Sequence, residues 1–178
     1  MTSPAPTSLV LTVLSDDRPG LVERLSQTLA AHHGNWVESR MAHLAGQFAG
    51  ILRVELPSDQ TAAFRTACSA LAVEGLRVSI AESRGPASVA ESRVLRLELV
   101  GQDRPGIVRE ISHVLAQNGI NVEELTTGVE SAPMSAEMLF HANARLSVPL
   151  DLPTERLRRC LEPIGNDLMV DFALLPSK

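Results

Sequence analysis

Apolar residues fall along this chain in two rhythms, and the whole series of rhythms occurs twice. Leu9, Leu11 and Val13 recur at every second residue, as do Leu95, Leu97 and Leu99. Side chains on a strand point alternately to its two faces, so this spacing predicts strands. Polar interruption is weak in both runs, which places these strands centrally in a sheet with both faces largely buried. Each strand is followed by a stripe of helical spacing: Leu21, Val22, Leu25 and Leu29, then Ile107, Val108, Ile111 and Leu115. Pro19 and Pro105 suit a first helical turn, where a missing N–H costs nothing. Gly34 and the Asn118-Gly119 pair read as the stops. Two strands follow in each half, at about 35–44 and 47–56, then at about 120–130 and 135–148. A second helix carries Phe64, Ala67, Cys68 and Leu71 in the first half, and Leu157, Cys160, Leu161 and Ile164 in the second. Final strands are predicted at Leu76-Val78-Ile80 and Leu168-Val170-Phe172.

The duplication is visible in the letters as well as in the rhythm. Residues 11–40 lie over 97–126 without a gap, at a constant offset of 86, with eleven of thirty positions identical. Two copies of Asp-Arg-Pro-Gly embedded in matched apolar patterns mean an internal repeat. Read together, the elements run βαββαβ twice. That order defines an α+β chain of two tandem ferredoxin-like modules, each an antiparallel sheet with both helices on one face. The modules are placed at 1–82 and 93–178, and the small, polar stretch 83–92, with its Gly85-Pro86 pair, reads as a linker. A module of about 80 residues has a marginal core and outer strands with unpaired backbone groups. Two modules joined edge to edge would relieve both difficulties and create a groove fit for a ligand.

Composition narrows the classes further. The net charge is −5, with 44% hydrophobic and 21% charged residues, a globular balance with no basic face for nucleic acid. The sheet lacks the aromatic platforms of RNA-binding relatives of this fold, since the chain has no Tyr, one Trp and four Phe. Arg156, Arg158 and Arg159 form its one basic patch and read as a solvated helix face. Residues 1–8 have neither a basic residue nor an apolar core, so no signal peptide is expected, and no apolar run is long enough for a membrane span. A soluble, cytoplasmic protein is expected, with Cys68 and Cys160 as buried free thiols. The five histidines, His32, His33, His43, His113 and His141, lack ligand-like spacing, so neither a metal nor a cofactor is expected. No nucleophile–base set or carboxylate pair is visible, and the chain reads as non-catalytic.

The candidate chemistry lies between the first strand and first helix of each half. Asp17, Arg18, Pro19 and Gly20 repeat as Asp103, Arg104, Pro105 and Gly106. A helix N-terminus beyond such a loop offers free N–H groups to a carboxylate, and the aspartates can accept from an ammonium group. The same aspartates can equally be helix N-caps. The arginines read as surface groups paired to a nearby acid more than as ligand contacts. Asn35 and Asn121 superpose at the start of the second strand. An amide there can serve either end of a zwitterion, or simply form the turn after the helix. Trp36 reads as core or interface packing.

The Asp-x-Pro-Gly loop between strand and helix, followed about sixteen residues later by the Gly-Asn or Gly-x-Asn strand start, resembles the ACT domain family. The segment HHGNWVESRMAHLAGQFAGILRVELP, with the tandem arrangement, is similar more narrowly to the glycine cleavage system transcriptional repressor group. That resemblance implies ligands lodged between the strand 1–helix 1 loop of one module and the second strand of a paired module. On its terms the binding set is Asp17, Arg18, Pro19, Gly20 and Asn35, with Asp103, Arg104, Pro105, Gly106 and Asn121. It implies a small amino acid as ligand, glycine or serine, and a homo-oligomer. Its protein partner would be a LysR-type activator, bound without direct contact to nucleic acid. Many serine-binding members carry Asn where this chain has Asp17 and Asp103. The remaining alternative is a structural or regulatory subunit that joins a metabolic enzyme without any small-molecule ligand.

Overall fold

The structure, a computed structural model, describes residues 6–83, 92–131, 137–164 and 169–174. All but the two end residues of the expected linker, 83 and 92, lie outside them. The chain divides into two compact units, Met1–Ala87 and Ser88–Lys178. In the first, β1 (Pro6–Asp16), α1 (Leu21–Ala31), β2 (Asn35–Leu44), β3 (Gln47–Pro57), α2 (Thr61–Ala70) and β4 (Arg77–Glu82) follow one another. In the second, β5 (Ser92–Gln102), α3 (Ile107–Gln117), β6 (Asn121–Ser131), β7 (Met138–Pro149), α4 (Thr154–Leu161) and β8 (Met169–Leu174) repeat that order. Short 3-10 turns, Leu71–Glu74 and Glu162–Ile164, extend α2 and α4. The sheets are β2-β3-β1-β4 and β6-β7-β5-β8, antiparallel throughout. This is the α+β ferredoxin-like fold that the periodicity predicts.

β1 and β5 are central, as expected, but the expectation that both their faces are buried fails. Leu9, Leu11, Val13 and Ser15 are buried, whereas Thr12 and Leu14 between them are exposed. β5 alternates in the same way, with Leu95, Leu97 and Leu99 inside. Both helices of a module pack on one face, so the opposite face keeps its apolar side chains partly in water. The helix stripes are also narrower than expected. Leu21, Leu25 and Leu29, and Ile107, Ile111 and Leu115, enter the two cores, while Val22 and Val108 are 45% and 43% exposed. One residue further along a helix is about 100° further round it, enough to carry a side chain off the buried stripe.

The helix stops correct another expectation. The residue with left-handed backbone after α1 is His33, at φ 57, where α3 has Gly119 at φ 67. Gly34 has a different reason to be glycine: a Cβ there would meet Leu29 Cδ1 at 2.2 Å. The edge strands β2 and β6 each carry a bulge at the same place, between Trp36 and Glu38 and between Val122 and Glu124. A bulge shifts the pleat by one residue, which is how Trp36 and Met41 both come to pack against the first core.

Cys68 is fully buried and Cys160 is half-buried; both are free thiols. Burial pushes the Cys68 thiol up to about 11 from its ordinary value of 9.0, because the interior disfavours the thiolate. The stability linked to that neutral thiol is complete below pH 9 and is lost as pH rises through about 11. At pH 8, mass spectrometry after treatment with a thiol reagent is expected to find Cys68 unmodified in the native protein and labelled in urea. Labelling of native Cys68 at the rate seen in urea would contradict its burial.

Candidate functional site

The chain leaves β1 at Asp16 and starts α1 at Leu21, so four residues must turn it back over the sheet. Gly20 sits at φ 93, ψ −3 and Gly106 at φ 89, ψ −2. These are the dihedrals of the third residue of a type II turn, whose second residue favours proline. In the second module the Ile107 amide donates to the Arg104 carbonyl at 3.4 Å, across that turn. Pro-Gly is thus the chemistry of the turn itself. Both prolines lie ahead of the helix rather than in its first turn. Neither aspartate caps a helix: the cap positions are Gly20 and Gly106, and no side chain bonds the helix start.

What the aspartates do instead is fasten the loop by their backbones. The Asp17 amide donates to the Gly46 carbonyl at 2.9 Å and the Asp103 amide to the Met138 carbonyl at 2.8 Å. Each loop is thereby held against the hairpin end of its own sheet. The carboxylates stay exposed, that of Asp17 standing 3.7 Å from His43 Nε2.

The arginines of the motif close a second fastening. Arg18 donates to the backbone carbonyl of Glu74, and Arg104 donates to that of Ile164. Glu74 and Ile164 are the last residues of the two 3-10 turns, so each guanidinium ties the loop to the end of the second helix. A carboxylate joins each clasp. Arg24 grips Glu74 through Nε at 2.9 Å, and Arg104 holds Glu110 at 2.9 and 2.7 Å. These hydrogen bonds hold the Glu74 and Glu110 carboxyls below the usual range. Arg24 and Glu110 occupy equivalent positions in the repeat, so the two modules make the clasp with opposite charges on the helix. Sequence reasoning did not find Arg24, Glu74 or Glu110; the reversal of charge at offset 86 was the signal.

Asn35 and Asn121 open the edge strands and are exposed. Their register partners, Glu55 and Ser147, alternate with buried Val54, Leu56, Leu146 and Val148, so both amides lie on the face away from the helices. The turn after each helix is made without them. Among the described residues, neither amide side chain has a hydrogen-bond partner. Within one module, however, the structure does not bring Asn35 to Asp17. Asn35 pairs with Glu55, while the loop follows Asp16, which pairs with Gln47. Eight residues of β3 separate the two, roughly 27 Å at strand rise. The second module repeats the separation, with Asn121 at Ser147 and the loop at Leu139. Among the described residues no group of His, Cys, Asp and Glu is placed to hold a metal ion, and no helix is long and apolar enough to cross a membrane.

This geometry and its repetition agree with comparison to known proteins. The ACT domain matches residues 7–80 and again residues 95–149. The chain belongs to the ACT domain family, as a tandem pair of its modules. A crystal structure of an unknown protein from Galdieria sulphuraria superposes with TM-score 0.81 at 28% identity, covering 97% of this chain and 100% of that one. A protein provisionally named a glycine cleavage system transcriptional repressor superposes with TM-score 0.66 at 15% identity, covering 96% of this chain and 99% of its own; it shares the fold. UPF0237 protein MK1213 of Methanopyrus kandleri is 34% identical over 73 residues, which are 41% of this chain and 76% of that protein.

The turn assignment has a direct test. A Cβ at Gly20 meets nothing within 4 Å, so alanine there is strained by its backbone alone. Gly20→Ala and Gly106→Ala are each expected to cost about 1–2 kcal/mol, read from urea midpoints. No loss at either position would show that the left-handed turn is not held in solution.

Proposed function

We propose that this chain is a non-catalytic regulatory protein that binds a small amino acid, glycine or serine, and passes the result to a transcription factor by protein contact. The reading is carried by the two strand-start amides. Asn35 and Asn121 are exposed, have no side-chain hydrogen-bond partner among the described residues, and recur at one position of both modules. An amide held open on an edge strand can donate to a carboxylate or accept from an ammonium group. The Asp17 and Asp103 carboxylates supply the complementary charge at the loop. Since a module's own loop and amide stand at opposite ends of its sheet, a ligand held by both takes them from two modules. With the family resemblance, we also read the protein as a homo-oligomer in the cytoplasm. The provisional name of the structural neighbour suggests glycine cleavage as the process regulated, and the family resemblance suggests a LysR-type activator as the partner, with DNA contacted by that partner alone. Ligand acts here only if it binds one arrangement better than another.

One observation favours a second reading. Arg18 and Arg104 are committed to the clasp, and the aspartates bond through their backbones, so the loop is held without any ligand. A ligand-free subunit of a metabolic enzyme would need no more. A thermal-shift screen of the common amino acids separates the two, since stabilisation by a ligand sinks the second.

Asn121→Ala gives the residue-level test. Loss of a hydrogen bond to a charged group costs about 1.5–3 kcal/mol, roughly ten- to more than a hundredfold in affinity. Calorimetry with glycine and serine is expected to show that loss with the urea midpoint barely changed. Equal binding by wild type and variant would show the site to be elsewhere, and an unfolded variant would show Asn121 to be structural.

A further inference from the structure

The second module contains a cavity between α3 and the sheet. It leaves about 40 Å³ open to the centre of a water-sized sphere, where one water needs about 10–15 Å³ on that measure. Its walls are Leu97, Leu99, Ile111, Leu115, Phe140 and Ala142, with Val108, Val122 and Leu125 at a mouth between α3 and the edge strand β6. The mouth residues are 43%, 37% and 52% exposed, so the cavity opens to solvent through an apolar rim. Ser112 also lines it, but its hydroxyl donates to the Arg109 carbonyl at 3.0 Å and is already satisfied. A cavity with so few polar partners does not hold ordered water well, and apolar molecules enter such spaces.

Comparison with the first module explains why the space exists. Val122 pairs with Leu146 as Trp36 pairs with Val54, and Thr127 pairs with Ala142 as Met41 pairs with Gly50. Ala144 pairs with Leu97 as Leu52 pairs with Leu11. At three equivalent places, therefore, a large side chain of the first module is replaced by a small one in the second. Leu52 is buried in the first core, and Trp36 and Met41 pack against it. Phe140 and Phe48 are equivalent, Ala142 in place of Gly50 returns one methyl against the three carbons lost from Leu to Ala, and Leu125 in place of Ser39 stands 52% exposed at the mouth.

We infer that the second module is a binding site for a compact branched aliphatic group. The volume fits roughly three or four carbon atoms, the size of an isopropyl or isobutyl group. The polar end of such a molecule stays in water at the mouth, because the interior offers it no partner. No residue of the proposed amino-acid site lines this cavity, so either assignment can fail without the other. The first module, with the same fold and its cavity positions filled, does not bind the same group.

The experiment is a titration of the full-length protein with xenon and with isobutanol, followed by methyl NMR and with glycerol as a polar control. Saturable shifts are expected at the methyls of Ile111 and Leu115 and not at those of Leu25 and Leu29. Ala144→Leu, which installs the first module's residue, is expected to weaken binding at least tenfold and to keep or raise the urea midpoint. Thr127→Met, which installs the first module's residue beside Ala142, makes the same test if Ala144→Leu does not fold. Absence of saturable shifts in wild type, or equal binding by a folded filled variant, overturns the assignment.

Discussion

A four-stranded sheet has two faces, and each module has two helices, enough to cover one of them. That limit shapes the rest of the molecule. It makes the central strands alternate between buried leucines and solvent, and it leaves Thr12, Leu14 and their neighbours in contact with water. It confines each core to a single layer of side chains between sheet and helices. It also leaves β2 and β6 as long edges, ten and eleven residues being nearly all the span of the sheet, with most β6 positions exposed. The candidate chemistry sits where the helices give no cover: in the loops at one end of the sheet and on the open face at the other.

Within the two layers the modules have diverged while keeping their frame. Both have the bulge on the edge strand, the left-handed turn after the first helix and the guanidinium clasp. What differs is how each is filled. The clasp uses Arg24 with Glu74 in one module and Glu110 with Arg104 in the other. Exposed ion pairs of this kind contribute little to stability, so a charge reversal costs little as long as the loop arginine keeps its carbonyl. The interior exchange of Leu52 for Ala144 is a different matter, because a close-packed core has no spare atoms to refill the space.

Most of the fold was legible in the sequence because period and repeat are properties of backbone geometry. Strands at 35–44 and 47–56 and helices on Leu21 and Ile107 follow from spacing alone, and β2 and β3 lie where the spacing puts them. What escaped was whatever depends on a neighbour distant in the chain. The letters of β1 do not say how many helices will cover it, so weak polar interruption does not distinguish one buried face from two. A stripe in sequence does not give the width of the contact, and Val22 and Val108 fall outside it. Gly34 passed for a helix stop, when its lack of a Cβ answers to Leu29. The site was legible only as a set of residues. That Asp17 and Asn35 stand at opposite ends of one sheet needs the strand register, and that Arg18 reaches a turn fifty-six residues away needs the fold.

The Pro-Gly turn changes what the tetrapeptide means as a marker. Its glycine is demanded by a left-handed backbone, its proline by the preceding position of the turn, and its arginine by a carbonyl on the far side of the module. Three of its four letters are thus accounted for by architecture, before any ligand is considered. A gene duplicate that lost its ligand would keep them under the same selection for folding. Searching genomes for Asp-Arg-Pro-Gly would gather chains by shape and mix sensors with silent copies. A search meant to separate them should weigh the amide at the start of the edge strand, a letter that the packing of this fold leaves free to vary.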